Sequence, residues 1–318
     1  MALLDIRWSS DFRSVMLTLN PPLGASDLVP TRIAYGCWRL AGSEGGPAVT
    51  PAEGKRAVRS AIEAGINFFD HADIYGRNQC ERIFGEALRE MPGTREHLII
   101  ATKCGICPPW DGAQHCYNSS HEHIVSSVED SLRRLGVDYV DLMMILRPDY
   151  LGDPHEIVGA FAHLHDHGKV RWFGVSNFKP CQVAALQAAM GAPLVVNQVE
   201  VSLGALGCLD DGTFDQCLER RMTPLAWSPL GKGRLMGAAQ NEHEQKLFTA
   251  LDSTAARHGV TRSAIALAWL LRHPTRMVPI IGTLNPTHLK EALAADSVTL
   301  TRDEWYELLI AARGAKLP

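Results

Sequence analysis

Short apolar, β-branched runs alternate along the chain with longer stretches whose apolar positions recur every three to four residues. The runs are RIAYGCW from Arg32, INFFD to Asp70, LIIATK to Lys103, VDLMMIL to Leu146, VRWFGVS to Ser176, LVVNQ to Gln198, TPLAWS to Ser228 and MVPIIG to Gly282. Eight such runs read as buried strands, and the stretches between them as helices. In PAEGKRAVRSAIEAG, Pro51 suits a first helical turn and Gly65 suits the stop. In SHEHIVSSVEDSLRRLG, Ile124, Val128, Ser131, Leu132 and Leu135 share one face, and Gly136 follows the last turn. Strand–helix alternation with short connections predicts a parallel sheet, and eight units fit a closed α/β barrel of the (β/α)₈ type. An open, doubly wound sheet would carry G-x-G-x-x-G after its first strand. RLAGSEGGPAV does not fit that pattern.

Two segments fall outside the repeat. NEHEQKLFTALDSTAARHG predicts an extra helix before the eighth unit, and TRDEWYELLIAARG a terminal helix capped by Thr301. No Pro-, Gly- and Ser-rich linker divides the chain. Residues 32–318 therefore read as one barrel domain, with residues 1–31 as an N-terminal extension or cap.

Composition narrows the function classes. The 318 residues carry a formal net charge of -4, which gives no support for nucleic-acid binding or an anionic membrane partner. No apolar run reaches the roughly 18–20 residues of a membrane span. The opening MALLDIRWSSDFRSVM contains acidic residues and no long apolar stretch, so a cytoplasmic protein is expected. Eight cysteines follow no framework spacing and read as reduced thiols. Cys104 and Cys107 form a C-x-x-C with His115 and Cys116 nearby, but no second such pair exists, and no metal site is expected. The pattern carries no signal for an oligomeric state.

In a (β/α)₈ barrel, functional side chains emerge at the C-terminal strand ends. There the chain places Asp70, with Tyr75 five residues on, then Lys103, Leu146, Ser176-Asn177, Gln198, Trp227-Ser228 and Gly282-Thr283. Singly, Asp70 reads as a helix cap and Gln198 as a backbone partner. Convergence on one mouth favours a site. A tyrosine has a pKa of about 10; a nearby ammonium favours its phenolate, and an aspartate holds that ammonium charged. Asp70, Lys103 and Tyr75 thus fit a general acid for a carbonyl oxygen. Trp38 and Trp110 are expected in the pocket, with Tyr117 and Tyr150 nearby, giving an aromatic, mostly uncharged wall suited to an apolar carbonyl compound.

These motifs resemble the aldo-keto reductase superfamily over nearly the whole chain. GINFFDHADIYGRNQCERIFGEAL matches its aspartate and tyrosine, IIATKCG its lysine, GKVRWFGVSNF its Ser-Asn pair and VVNQVEVS its glutamine. PLAWSPLGKGRL and VPIIGTLNPTHLKEAL match two cofactor segments. The nearest branch is one of uncharacterised bacterial oxidoreductases. The resemblance implies hydride transfer from NADP(H) or NAD(H) to a small carbonyl substrate. Ser176, Asn177 and Gln198 would hold the nicotinamide carboxamide and Trp227 would stack on its ring. Ser228, Leu230, Gly231 and Lys232 would lie along the pyrophosphate. Gly282, Thr283, Asn285, His288 and Glu291 would meet the ribose and adenine. Two departures stand out. Leu146 occupies the position of the family's orienting histidine, which opens the alternative of a cofactor-binding sensor or interaction protein with vestigial turnover. Gly282 and His288 replace a lysine and an arginine that often bind the 2′-phosphate, which leaves the choice of NADP or NAD open. His71, beside Asp70, is expected to face away from the site, because adjacent strand residues alternate.

Overall fold

A computed structural model describes residues 17–42 and 48–317. The strands are β1 (Ala34–Gly36), β2 (Phe68–Asp70), β3 (Ile99–Cys104), β4 (Ile106–Cys107), β5 (Cys116–Tyr117), β6 (Val140–Ile145), β7 (Val170–Ser176), β8 (Val196–Glu200), β9 (Thr223–Trp227) and β10 (Val278–Ile281). The helices are α1 (Pro51–Glu63), α2 (Gln79–Arg89), α3 (His121–Leu135), α4 (Pro154–Asp166), α5 (Pro180–Ala189), α6 (Thr213–Arg220), α7 (Glu242–His258), α8 (Arg262–Leu271), α9 (Pro286–Leu293) and α10 (Arg302–Arg313). Eight parallel strands close a barrel in the order β1-β2-β3-β6-β7-β8-β9-β10, and β4 and β5 form a separate antiparallel hairpin. The predicted (β/α)₈ barrel with extra late helices is therefore the observed fold. None of the described helices is long and apolar enough to cross a membrane.

Local chemistry sets the helix ends. Thr50 and Glu53 form a reciprocal cap on α1 with Pro51 in the first turn, and Thr301 and Glu304 do the same on α10. Each such pair satisfies two of the N–H groups that a helix start leaves unpaired. Helix α3 buries Ile124, Val128, Ser131, Leu132 and Leu135, the face expected from its period, and ends at Gly136 in the left-handed region.

The strands alternate between two cores. Ala34, Phe68, Ala101, Leu142, Met144, Val196, Leu225, Val278 and Ile280 fill the barrel interior. Tyr35, Phe69, Ile100, Met143, Ile145, Val175, Val199, Ala226 and Ile281 pack outward under the helices. The segment before β1 enters the interior through Leu23 and Leu28. Its turn at Gly24 has φ +54, and a Cβ there would meet Val195 O at 2.6 Å. Only glycine fits that approach without a shift.

Strand lengths differ from the sequence reading. RIAYGCW contributes three ladder residues to β1, because Cys37–Arg39 turns into a short 3₁₀ helix at the barrel rim. The β4–β5 hairpin lies inside what reads as a plain loop.

Candidate active site

The two-residue strand period builds the site. Stepping two residues beyond the interior core, from Phe68, Ala101, Met144, Gly174, Val196, Leu225 and Ile280, gives Asp70, Lys103, Leu146, Ser176, Gln198, Trp227 and Gly282. Side chains two apart share a face, so these residues form the next layer up, at the C-terminal mouth. All but Lys103 line one cavity of about 970 Å³. Lys103 is fully buried beneath it.

Lys103 Nζ donates to Asp70 Oδ1 at 2.6 Å, and Gln198 Nε2 donates to the same oxygen at 2.8 Å. The ammonium lies 5.2 Å from the centre of the Tyr75 ring. Tyr75 sits in the turn after β2. Arg77 and Asn78 adopt positive φ there, and Asn78 Nδ2 donates to Asp73 O at 2.6 Å. This fold brings the tyrosine back over Lys103. Burial lowers the Lys103 pKa, and the Asp70 charge works against that. Burial, then the Asp70 charge, push the Tyr75 phenol well above its usual value. The sequence reading had the ammonium lowering that value. Burial and the Asp70 charge prevail here, so the phenol stays protonated.

The amide-bearing residues bond to one another. Ser176 Oγ donates to Gln198 O at 3.0 Å. Asn177, at φ 61, donates from Nδ2 to Leu146 O (3.1 Å) and to Ser176 Oγ (2.8 Å). Trp227 Nε1 donates to Asn177 Oδ1 at 3.0 Å, which fixes the indole edge. Lys232 Nζ lies 5.4 Å from the Trp227 ring centre and 3.4 Å from Glu200 Oε1.

Ser228, Leu230, Lys232, Thr283, Asn285, His288 and Glu291 line the same cavity. Gly231, at φ +58, lies in the turn between two of them. Trp38 is on the wall as expected. Trp110 is not among the lining residues; the Arg77 guanidinium lies 5.9 Å from its ring centre. Tyr117 and Tyr150 stack on each other at 6.3 Å and are also off the wall. Sequence reasoning missed Arg39, Ile106, Arg147 and Arg262, all of which line the cavity. The wall is therefore more cationic than an aromatic pocket. Arg39 Nη1 donates to Gly282 O at 3.1 Å; its signal in the sequence is a cation just past a strand end.

Leu146 is 8% exposed; its N–H donates to Cys104 O at 2.8 Å, and its side chain offers no donor. His71 faces outward, fully buried, with its ring 4.5 Å from that of Phe84 on α2. Neither ring nitrogen has a partner, and burial, then the Lys103 charge, lower its pKa to about 3. Asp73 is also buried with Oδ1 unpaired; burial, then the Glu81 charge, raise its pKa to about 7.

Residues 32–312 match the model of the aldo/keto reductase family, and the chain belongs to that family. It is 41% identical over 302 residues to a 6-dehydroglucose reductase of Novosphingobium aromaticivorans, covering 93% of this chain and 96% of the relative. It is 40% identical to the uncharacterised oxidoreductase YcsN of Bacillus subtilis, covering 92% and 98%. Among solved structures, the glycerol dehydrogenase of Gluconobacter oxydans superposes with a TM-score of 0.82 at 25% identity, covering 94% of this chain and 97% of that one. A thermostable aldo-keto reductase bound to the inhibitor epalrestat gives 0.81 at 28% identity, covering 92% and 100%. Membership carries a general NAD(P)H-dependent aldo-keto reductase activity on a small carbonyl compound.

Proposed function

We propose that the protein reduces an aldehyde to the alcohol with Tyr75 as proton donor and NADPH or NADH as hydride source. The observation that carries this reading is the buried Asp70–Lys103 pair under the Tyr75 ring at the cavity floor. A reduced nicotinamide supplies the hydride when bound. The residues present fit such a cofactor. Ser176, Asn177 and Gln198 offer donors and acceptors for a carboxamide, and Asn177 holds the Trp227 indole by its edge, which leaves a ring face for stacking. Arg39, Lys232, Arg262 and His288, also on the wall, offer cationic groups to a pyrophosphate.

As negative charge develops on the carbonyl oxygen, the Tyr75 hydroxyl gives it a proton. The phenolate left behind faces the Lys103 ammonium, which Asp70 keeps charged and in place. Burial raises the phenol pKa, so the acid form is present throughout the neutral range. Reduction should stay constant with rising pH until the phenol ionises. Alcohol oxidation, which needs the phenolate, should climb over the same range.

The relatives named 6-dehydroglucose reductase support a polyhydroxylated aldehyde as substrate class, and Arg147 on the wall gives hydroxyl oxygens a donor. The test is NADPH and NADH oxidation against sugar aldehydes, simple aldehydes and quinones. Tyr75→Phe should lower kcat by about 10²- to 10⁴-fold while cofactor still quenches tryptophan fluorescence. A Tyr75→Phe variant at wild-type rate would sink the assignment.

A second reading rests on Leu146: a pocket lacking the orienting donor suits a cofactor-binding sensor with slow turnover. Tight cofactor binding with negligible reduction of every carbonyl tested would favour it.

A further inference from the structure

The sequence groups Cys104 with Cys107, but the fold separates them. Cys104 ends β3 and is buried in the outer core at 2% exposure. Gly105 then turns the chain at φ +108, and Cys107 enters the β4–β5 hairpin directly opposite Cys116. Directly opposed residues of an antiparallel pair lie about 4.5–5.5 Å apart at Cα, inside the roughly 4.4–6.8 Å range of disulfides. Both are free thiols; Cys116 is exposed and Cys107 is partly buried. His123 Nε2, on α3, lies 4.0 Å from Cys107 Sγ.

The hairpin touches the pocket at one residue, and at two more it meets loops beside the pocket. Ile106, next to Cys107, is on the cavity wall. Trp110 at its tip meets Arg77 of the turn that carries Tyr75. At its base, Ser119 N and Oγ both donate to Asp149 Oδ2 (2.9 and 3.2 Å), in the loop that follows Leu146.

We propose that Cys107 and Cys116 are a reversible dithiol–disulfide site, oxidised by hydrogen peroxide, that fixes the hairpin beside the substrate pocket. The exposed Cys116 thiolate attacks the peroxide oxygen; the O–O bond breaks, leaving a Cys116 sulfenic acid and water. Cys107 loses its proton to His123 and attacks the Cys116 sulfur, forming the S–S bond and expelling hydroxide, which becomes water. Two thiols are oxidised and one peroxide is reduced to two waters. Burial, with the Cys116 contact, raises the Cys107 pKa to about 11, so Cys107 resolves and does not initiate. His123 Nε2 stands beside Cys107 Sγ and takes the thiol proton as the S–S bond forms.

The site goes beyond the proposed reduction and is mapped without it. The full chain is treated with hydrogen peroxide, digested and analysed by mass spectrometry. A Cys107–Cys116 cross-linked peptide is expected, reversed by dithiothreitol and absent from Cys107→Ser and Cys116→Ser but retained in Cys181→Ser. Oxidation that stops at a Cys116 sulfinic acid, or links Cys116 to another chain, would overturn the site. Carbonyl kinetics of the reduced and oxidised wild type then read the coupling. KM should change measurably with cofactor affinity unchanged, because loops that border a pocket carry substrate contacts. Equal KM in the two forms would refute the coupling to the pocket. If no carbonyl is reduced at all, the reductase reading fails while the peptide map still decides the disulfide.

Discussion

At the scale of single residues, the departure that matters is Leu146. Its side chain reaches the cavity at the layer of Asp70 and Gln198, and it brings no donor to an oxygen that gains charge. One lost donor of this kind typically costs about 10²- to 10³-fold in rate. Leu146→His should therefore raise kcat for small aldehydes by about tenfold or more, with cofactor affinity little changed. The backbone bonds of Leu146 to Cys104 and Asn177 do not depend on the side chain. Steady-state kinetics on the same aldehydes decide it, and an unchanged or lower kcat would mean that the apolar wall is the adapted state. Most of this layer could be read from the sequence because each residue ends a strand. Ile106 and Arg147 could not, since they follow strand ends in segments without a period, and Arg39 is marked only as a cation just past a strand end.

At the scale of elements, the residue after β2, His71, packs its ring against Phe84 of α2. An unfolded histidine titrates near about 6.5, whereas folded His71 titrates at about 3. Between those values the unfolded chain binds the extra proton, so stability falls as pH drops, by up to about 1.4 kcal/mol per pH unit. Asp73 runs the other way. Folded, it titrates at about 7, against about 3.9 unfolded. The folded chain holds the extra proton in that window, and stability falls as pH rises through it. His71→Leu removes the first effect and two buried nitrogens without partners. Denaturant unfolding should show a variant that gains on wild type as pH falls from 6.5 to 5. A constant gap between the two would refute the burial argument. The hairpin also belongs to this scale. Two strands of two residues each give no alternation long enough to recognise, so the cysteines were paired by spacing when the fold pairs them by register.

At the scale of the whole molecule, the barrel needs its interior filled from end to end. Leu23, fully buried, joins the interior cluster from outside the strand repeat. Leu23→Ala should cost about 2–5 kcal/mol, the usual range for truncating a core leucine. The loss should appear in the denaturation midpoint with the active-site kinetics unchanged, because the pocket lies at the opposite end. A shift in KM without a loss of stability would contradict a purely structural role.

The barrel is legible in the chain alone, because eight buried strands and their helices follow from apolar period and from caps such as Thr50, Gly136 and Thr301. The sequence also determined which strand-end residues share a layer, because side chains two apart on a strand point the same way. Only the tertiary structure decided what those residues do to each other. Asp70 meets both Lys103 and Gln198 across 33 and 128 positions of sequence, and burial raises the Tyr75 pKa where the ammonium alone would lower it. The tertiary structure also set Trp110 against Arg77, brought Arg39 and Arg147 to the wall, and set Cys107 against Cys116. Charge interaction, burial and cross-strand register all depend on distance in space, and periodicity along a chain does not encode that distance.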